Sequence, residues 1–172
     1  MDLTKIVNNF IEESDCKAII SHLEELILTR QVSGRDDGRV GIFKRKDEIY
    51  YPIIKKYMKK TIEMFNDEYT HYSGYLVSKY VPGVGMPTHI DSKVGDEMGV
   101  LMYLNDDYEG GELVYTDLDG NEKVIRPKMG DMIYHPGWYP HSVNKVTKGV
   151  RYFFAISLMN RPDPFNYGHL LD

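Results

Sequence analysis

The chain has 172 residues, 42% of them hydrophobic and 27% charged, and a net charge of −5 from 21 basic and 26 acidic side chains. That balance excludes a disordered chain, and no run approaches the ~18 consecutive apolar residues of a membrane span. The length suits a single domain, residues 1–172, which can bury roughly two-thirds of its unfolded surface without metal or disulfide staples.

In chain order, the first signal is helical. Ile19, Ile20, Leu23, Leu26 and Ile27 recur at the spacing of one helix face behind Ser14 and Asp15, either of which can cap the first turn. A helix of about 15 residues is expected there, with Cys16 as a small core residue. Residues 31–50 are polar and contain glycine, which predicts a loop with at most a short strand. Pro52 suits a first helical turn, and Ile54, Met58, Ile62 and Phe65 continue a second amphipathic helix with Lys55, Lys56, Lys59 and Lys60 on its solvated face. From about Tyr72 the period falls from 3.6 to 2. Strands are expected at Tyr75–Val81, Met98–Leu104, Glu112–Tyr115, Lys123–Arg126, Asp131–Tyr134 and Tyr152–Leu158. Asp119-Gly120 reads as a tight hairpin, and Gly83-Val84-Gly85 and Gly110-Gly111 as bends. Six or more short strands after a helical third predict an α+β domain, with helices over residues 1–70 and a β sandwich or barrel over about 72–160.

The charge is unevenly distributed. Residues 30–60 carry ten basic and four acidic side chains, whereas residues 91–122 carry one basic and ten acidic. Such mixed blocks describe faces of a folded domain, and Arg35, Arg39, Lys44 and Arg45 would suit a locally basic substrate entrance. The average charge disfavours general nucleic-acid binding. Cys16 is the lone cysteine, there is no Asn-x-Ser/Thr site, and Met1–Ile11 lacks the basic-then-apolar order of a leader, so a cytoplasmic location is expected.

Of the six histidines, only His89 has a carboxylate two residues away on an expected strand. Alternation would point His89 and Asp91 to one face, although an ordinary His-Asp hydrogen bond has the same signature. His141, at the start of another expected strand, adds a second imidazole, and two histidines with one carboxylate form the facial triad of non-haem Fe(II) oxygenases. His135 competes for that place but directly precedes Pro136-Gly137. Arg151 stands ten residues after His141, as a bidentate partner for a dicarboxylate bound at the metal would. Trp138 is a candidate for contacting substrate above the metal or for covering the end of the barrel.

Together these elements resemble the 2-oxoglutarate- and Fe(II)-dependent dioxygenases of the prolyl 4-hydroxylase-like group. The resemblance rests on Tyr80-Val-Pro-Gly83, His89-x-Asp91, Leu101-Met-Tyr-Leu-Asn105, Glu109-Gly-Gly-Glu-Leu113, Lys128-x-Gly-Asp131, His141-Ser-Val143 and Lys148-Gly-x-Arg151, in the family's order across residues 75–159. It implies a double-stranded β-helix, or jelly roll, with the N-terminal helices packed outside it. It implies that His89, Asp91 and His141 bind Fe(II), that Arg151 and Tyr103 hold the far carboxylate of 2-oxoglutarate, and that Tyr80 lines the pocket. O2 would be the oxidant, ascorbate a candidate reductant, and succinate and CO2 the co-products. The implied substrate is a peptidyl residue such as proline in a peptide or protein. The alternatives are a nucleic acid or small metabolite on the same fold, or a jelly-roll metal binder or Zn(II) hydrolase without oxygenase activity. The tail 161–172 has no counterpart in the family.

Overall fold

The computed structural model describes residues 4–30, 39–43, 50–65, 69, 71–93, 97–117 and 119–160, with the side chains of 39–43, 50 and 72–74 left aside. The first element is an edge strand, β1 (Lys5–Val7), followed by helix α1 (Glu13–Leu28). Cys16, Ile19, Leu23 and Leu26 form its buried stripe, and Glu13 and Asp15 place negative charge in its first turn, where the helix dipole favours it. The expected cap is corrected. Glu12 occupies the N-cap without a side-chain bond, and Ser14 and Asp15 lie inside the helix. The Asp15 carboxylate is drawn instead to the Tyr57 hydroxyl at 2.6 Å and the Lys56 ammonium at 2.9 Å, charge-assisted bonds that a local amide cannot match.

Strand β2 (Arg39–Phe43) is the short strand allowed for in the stretch otherwise read as loop. Helix α2 (Tyr50–Met64) buries Ile54, Tyr57, Met58 and Thr61. Its lysines are not all on a free face. Lys56 ties α2 to Glu12 and Asp15, and Lys60 donates to the Phe10 carbonyl while lying over the Phe10 ring. Among the described residues no helix is long and apolar enough to cross a membrane.

The remaining strands are β3 (His71–Tyr80), β4 (Met86–His89), β5 (Glu97–Tyr103), β6 (Glu109–Gly110), β7 (Leu113–Thr116), β8 (Glu122–Ile125), β9 (Met132–Pro136), β10 (His141–Val143), β11 (Val146–Lys148) and β12 (Arg151–Met159). They form a six-stranded antiparallel sheet ordered β1-β9-β5-β12-β3-β2, a four-stranded sheet ordered β4-β10-β7-β8, and the pair β11-β6. This is the double-stranded β-helix, of α+β class, with both helices outside it.

Strand alternation decides what each face of the larger sheet does. Val77, Val100, Met102, Met132, Phe154, Ile156 and Leu158 pack with the buried residues of α1 and α2. Their neighbours Tyr80, Leu101, Tyr103, Ile133, Phe153 and Ala155 point the other way, into the barrel. Both faces are thus buried, and the interior face carries the polar side chains discussed below. The turn at Asp119-Gly120 differs from the expected tight hairpin. The Asp117 carboxylate accepts the amides of Asp119 and Asn121 and opens the loop, and within that dipeptide only Gly120, at φ +83°, is left-handed.

Candidate metal centre and carboxylate pocket

His89 ends β4 and His141 begins β10, and the two are direct cross-strand partners. The strand stops at His89, so Asp91 does not share its face by alternation, as the sequence suggests. It sits in the bend beyond, where its amide donates to the Gly137 carbonyl at 2.8 Å. Gly137 follows β9 and its own amide bonds the Glu97 carbonyl, so the larger sheet fixes the height of Asp91 above two strands of the smaller one.

One donor atom each from His89, Asp91 and His141 lies within 4.8 Å of the others. The Nε2 atoms of His89 and His141 stand 3.5 and 3.7 Å from Asp91 Oδ1. Each Nδ1 lies 2.9 Å from a backbone carbonyl, of Pro87 and Tyr139 respectively. Donation to that carbonyl fixes the tautomer and leaves the Nε2 lone pairs facing the carboxylate, the arrangement in which histidines ligate metals. Burial pushes the Asp91 carboxyl up, but the attraction of His89, His141 and His135 in their protonated forms outweighs it and holds the group below its ordinary value. Burial lowers the His141 imidazole, an effect that Asp91 only partly offsets. Anionic oxygen beside neutral nitrogen is a donor set suited to a divalent ion, and two imidazoles with one carboxylate suit Fe(II).

His135, which the sequence offers as a rival to His141, packs beside that ring but is not one of the three residues whose donor atoms lie within 4.8 Å of one another. Its ring is fully buried, with Nε2 3.7 Å from Asp91 Oδ2 and its centroid 4.4 Å from that of His141. The signal was non-local: Gly99 faces His135 across β5 and β9, and a Cβ at Gly99 would come within 2.7 Å of the imidazole and 2.8 Å of Asp91 Oδ2.

Arg151, the first residue of β12, is completely buried. Its guanidinium carbon lies 4.5, 5.0 and 5.2 Å from the ring centroids of Phe153, Tyr103 and Tyr80, so the structure places all three expected pocket residues together. Nη2 donates to the Tyr103 hydroxyl at 3.0 Å, while Nε and Nη1 have no partner. Among the described residues no carboxylate pairs with this cation. A buried, uncompensated guanidinium with two free donors fits a ligand carboxylate. Tyr108 was missed from sequence because it lies in a segment without periodicity. It also borders the guanidinium, and its hydroxyl is pushed up to about 12 by burial against the pull of Arg151. Trp138 packs beside Tyr139 at the barrel end. Arg35, Lys44, Arg45 and the tail 161–172 lie outside the described residues, as does the Arg39 side chain.

The sequence model of the family described as "2OG-Fe(II) oxygenase superfamily" matches residues 75–157. A PKHD-type hydroxylase of Pseudomonas fluorescens is 35% identical over 51% of this chain and 45% of its own length. Another, from Gluconobacter oxydans, is 31% identical over 67% of this chain and 46% of its own. The chain therefore spans just under half the length of these curated relatives. Among solved structures, a Pseudomonas putida prolyl 4-hydroxylase superposes with a TM-score of 0.74 at 14% identity, covering 92% of this chain and 93% of that one. A prolyl hydroxylase from Trichoplax adhaerens, in complex with a peptide fragment of the hypoxia inducible factor oxygen degradation domain, gives 0.76 at 20% identity, covering 93% and 84%. These last two likenesses concern the fold.

Proposed function

From the membership of segment 75–157 in the 2OG-Fe(II) oxygenase superfamily, we propose that the chain is a 2-oxoglutarate- and Fe(II)-dependent hydroxylase acting on a peptidyl residue, proline first. The observation that carries the reading is the pairing of two features inside one barrel: a His-Asp-His donor group and a buried arginine with two unsatisfied donors. A hydrolase or simple metal binder has use for the first and none for the second.

In this reading His89, Asp91 and His141 hold the metal. The Pro87 and Tyr139 carbonyls keep both imidazoles in the ligating tautomer, and the charge of Asp91 offsets that of the ion. Arg151 takes the far carboxylate of 2-oxoglutarate through Nε and Nη1, with the Tyr103 hydroxyl beside it. Tyr80, Tyr103 and Phe153 keep water from the ion pair, which strengthens it. The bound iron and cosubstrate supply the oxidising power: O2 and 2-oxoglutarate give succinate, CO2 and one oxygen atom for the new hydroxyl. Ascorbate serves as reductant, and a buried thiol at Cys16, raised to about 11 by burial, suits a reducing cytoplasm.

Support for a peptide substrate comes from the relatives named as hydroxylases and from the peptide-bound neighbour. The test is succinate release from 2-oxoglutarate with Fe(II) across proline-rich peptides, oligonucleotides and free amino acids. Stimulation by peptides, lost in His141→Ala, is expected. Stimulation only by another class would displace the prolyl reading, and no turnover despite bound iron would remove the oxygenase one.

A further inference from the structure

Tyr108 lies in the link between β5 and β6, and two glycines make room for it. Gly149 closes on its backbone: a Cβ there would come 3.1 Å from Tyr108 Cα and 3.3 Å from its Cβ. Gly111 closes on its ring: a Cβ there would come 3.2 Å from Tyr108 Cε2 and 3.1 Å from Arg151 Cδ. Both glycines have left-handed φ angles, +74° and +66°, which a side chain would strain. The link is also fastened at its start, where the Asn105 side chain donates to the Asp107 carboxylate and the Val150 carbonyl and accepts the Tyr152 amide.

This fit brings the polar end of Tyr108 to one part of Arg151. Cε2 is bonded to the ring carbon that carries the hydroxyl, and Cδ is bonded to Nε, so the atoms that meet at Gly111 adjoin the hydroxyl on one side chain and Nε on the other. The guanidinium acts on that hydroxyl both as a charge and as a hydrogen-bond donor. Tyr103 already takes Nη2, while Nε and Nη1 have no partner. A guanidinium only donates, so each phenol beside it accepts and must turn its own proton elsewhere. Burial pushes the Tyr108 hydroxyl up to about 12, which keeps that proton in place at neutral pH. Two phenols with protons to give thus flank a cation with two free donors. A carboxylate has about four acceptor sites, two for the guanidinium and one for each phenol. Tyr103, Tyr80 and Arg151 are buried, whereas Tyr108 is half-buried and forms the side of the group that reaches solvent.

We propose that Tyr108 binds the cosubstrate: its hydroxyl donates to the far carboxylate of the 2-oxo diacid held by Arg151, and its ring closes the solvent side of that ion pair. The proposal rests on the reading of Arg151 as a carboxylate clamp and adds a donor that this reading does not contain.

The test is isothermal titration of the full chain, loaded with Mn(II) and kept free of oxygen, with two ligands. One is 2-oxoglutarate. The other is 2-oxopentanoate, which keeps the five-carbon chain and the chelating end but has a methyl group in place of the far carboxylate. Tyr108→Phe retains the ring and loses only the hydroxyl. It should weaken 2-oxoglutarate by about ten- to a hundredfold and leave 2-oxopentanoate unchanged. Unchanged 2-oxoglutarate affinity would overturn the proposal, as would equal weakening of both ligands, which is the mark of a packing role. A parent protein that binds the two ligands equally would instead remove the reading of Arg151 itself, and the role of Tyr108 with it.

Discussion

Arg151→Met should have opposite effects on the empty and the cosubstrate-bound protein. Inside the barrel the guanidinium is fully buried, with one bond to Tyr103 and two donors unmatched. Each unmatched buried donor costs about 1–3 kcal/mol, and the lost Tyr103 bond was worth about 1 kcal/mol. Replacement by an apolar side chain of similar length among Tyr80, Tyr103 and Phe153 should therefore stabilise the ligand-free protein by about 1–5 kcal/mol. For a chain of this size that is roughly 2–4 °C in Tm per kcal/mol, readable by calorimetry in the presence of a chelator. Binding of 2-oxoglutarate, followed by isothermal titration without oxygen, should weaken by about 3–5 kcal/mol, roughly two hundred- to several thousand-fold, because the carboxylate loses the buried guanidinium that would pair with it. A variant that melts below the parent and binds 2-oxoglutarate as tightly would refute the assignment of Arg151 as a charge held ready for a ligand.

Three further outcomes are expected. The His135 imidazole is pushed down to about 4 by burial and then by the charge of His141, so the metal-free fold keeps it neutral while the unfolded chain protonates it near 6.5; stability should therefore fall from about pH 6.5 to about pH 4, by roughly 3 kcal/mol, and urea titrations of metal-free His135→Phe should show a shallower slope. Gly99→Ala puts a methyl group 2.7 Å from the His135 ring and 2.8 Å from Asp91 Oδ2; it should weaken Co(II) binding by roughly tenfold or more while costing about 1–3 kcal/mol, and unchanged metal affinity would show that the close approach has no bearing on the site. Tyr57→Phe removes the hydroxyl that donates to Asp15 and accepts the Glu12 amide; it should lower stability by about 1–3 kcal/mol in thermal melts with 2-oxoglutarate affinity unchanged, and a melt equal to the parent's would contradict that role.

What could be read from the sequence follows how local each signal is. β3, β5, β7, β8, β9 and β12 carry alternating or continuous apolar runs, and the interior and exterior residues of β12 separate cleanly by parity. The strand expected around His89–Asp91 lies earlier, as β4 over Met86-Pro87-Thr88-His89, which has a proline and no apolar alternation to mark its bounds, and it pairs with β10 through an irregular register. The grouping of His89, Asp91 and His141 was expected from residue types, but its geometry has another cause: Asp91 is set by a bond to Gly137 and not by strand parity. Tyr57 redirecting Asp15, and Gly99 admitting His135, depend on partners 42 and 36 positions away, which no window of sequence contains.

The suspension of Asp91 from Gly137 has a mechanical consequence. Both histidines of the triad sit on neighbouring strands of the smaller sheet, while Asp91 hangs from the turn that ends β9 of the larger one. An ion held by all three is a rivet through the two lips of the sandwich. Prying the lips apart and emptying the centre then become one event, and resistance to unfolding should rise with the logarithm of free metal concentration once the site is more than half filled.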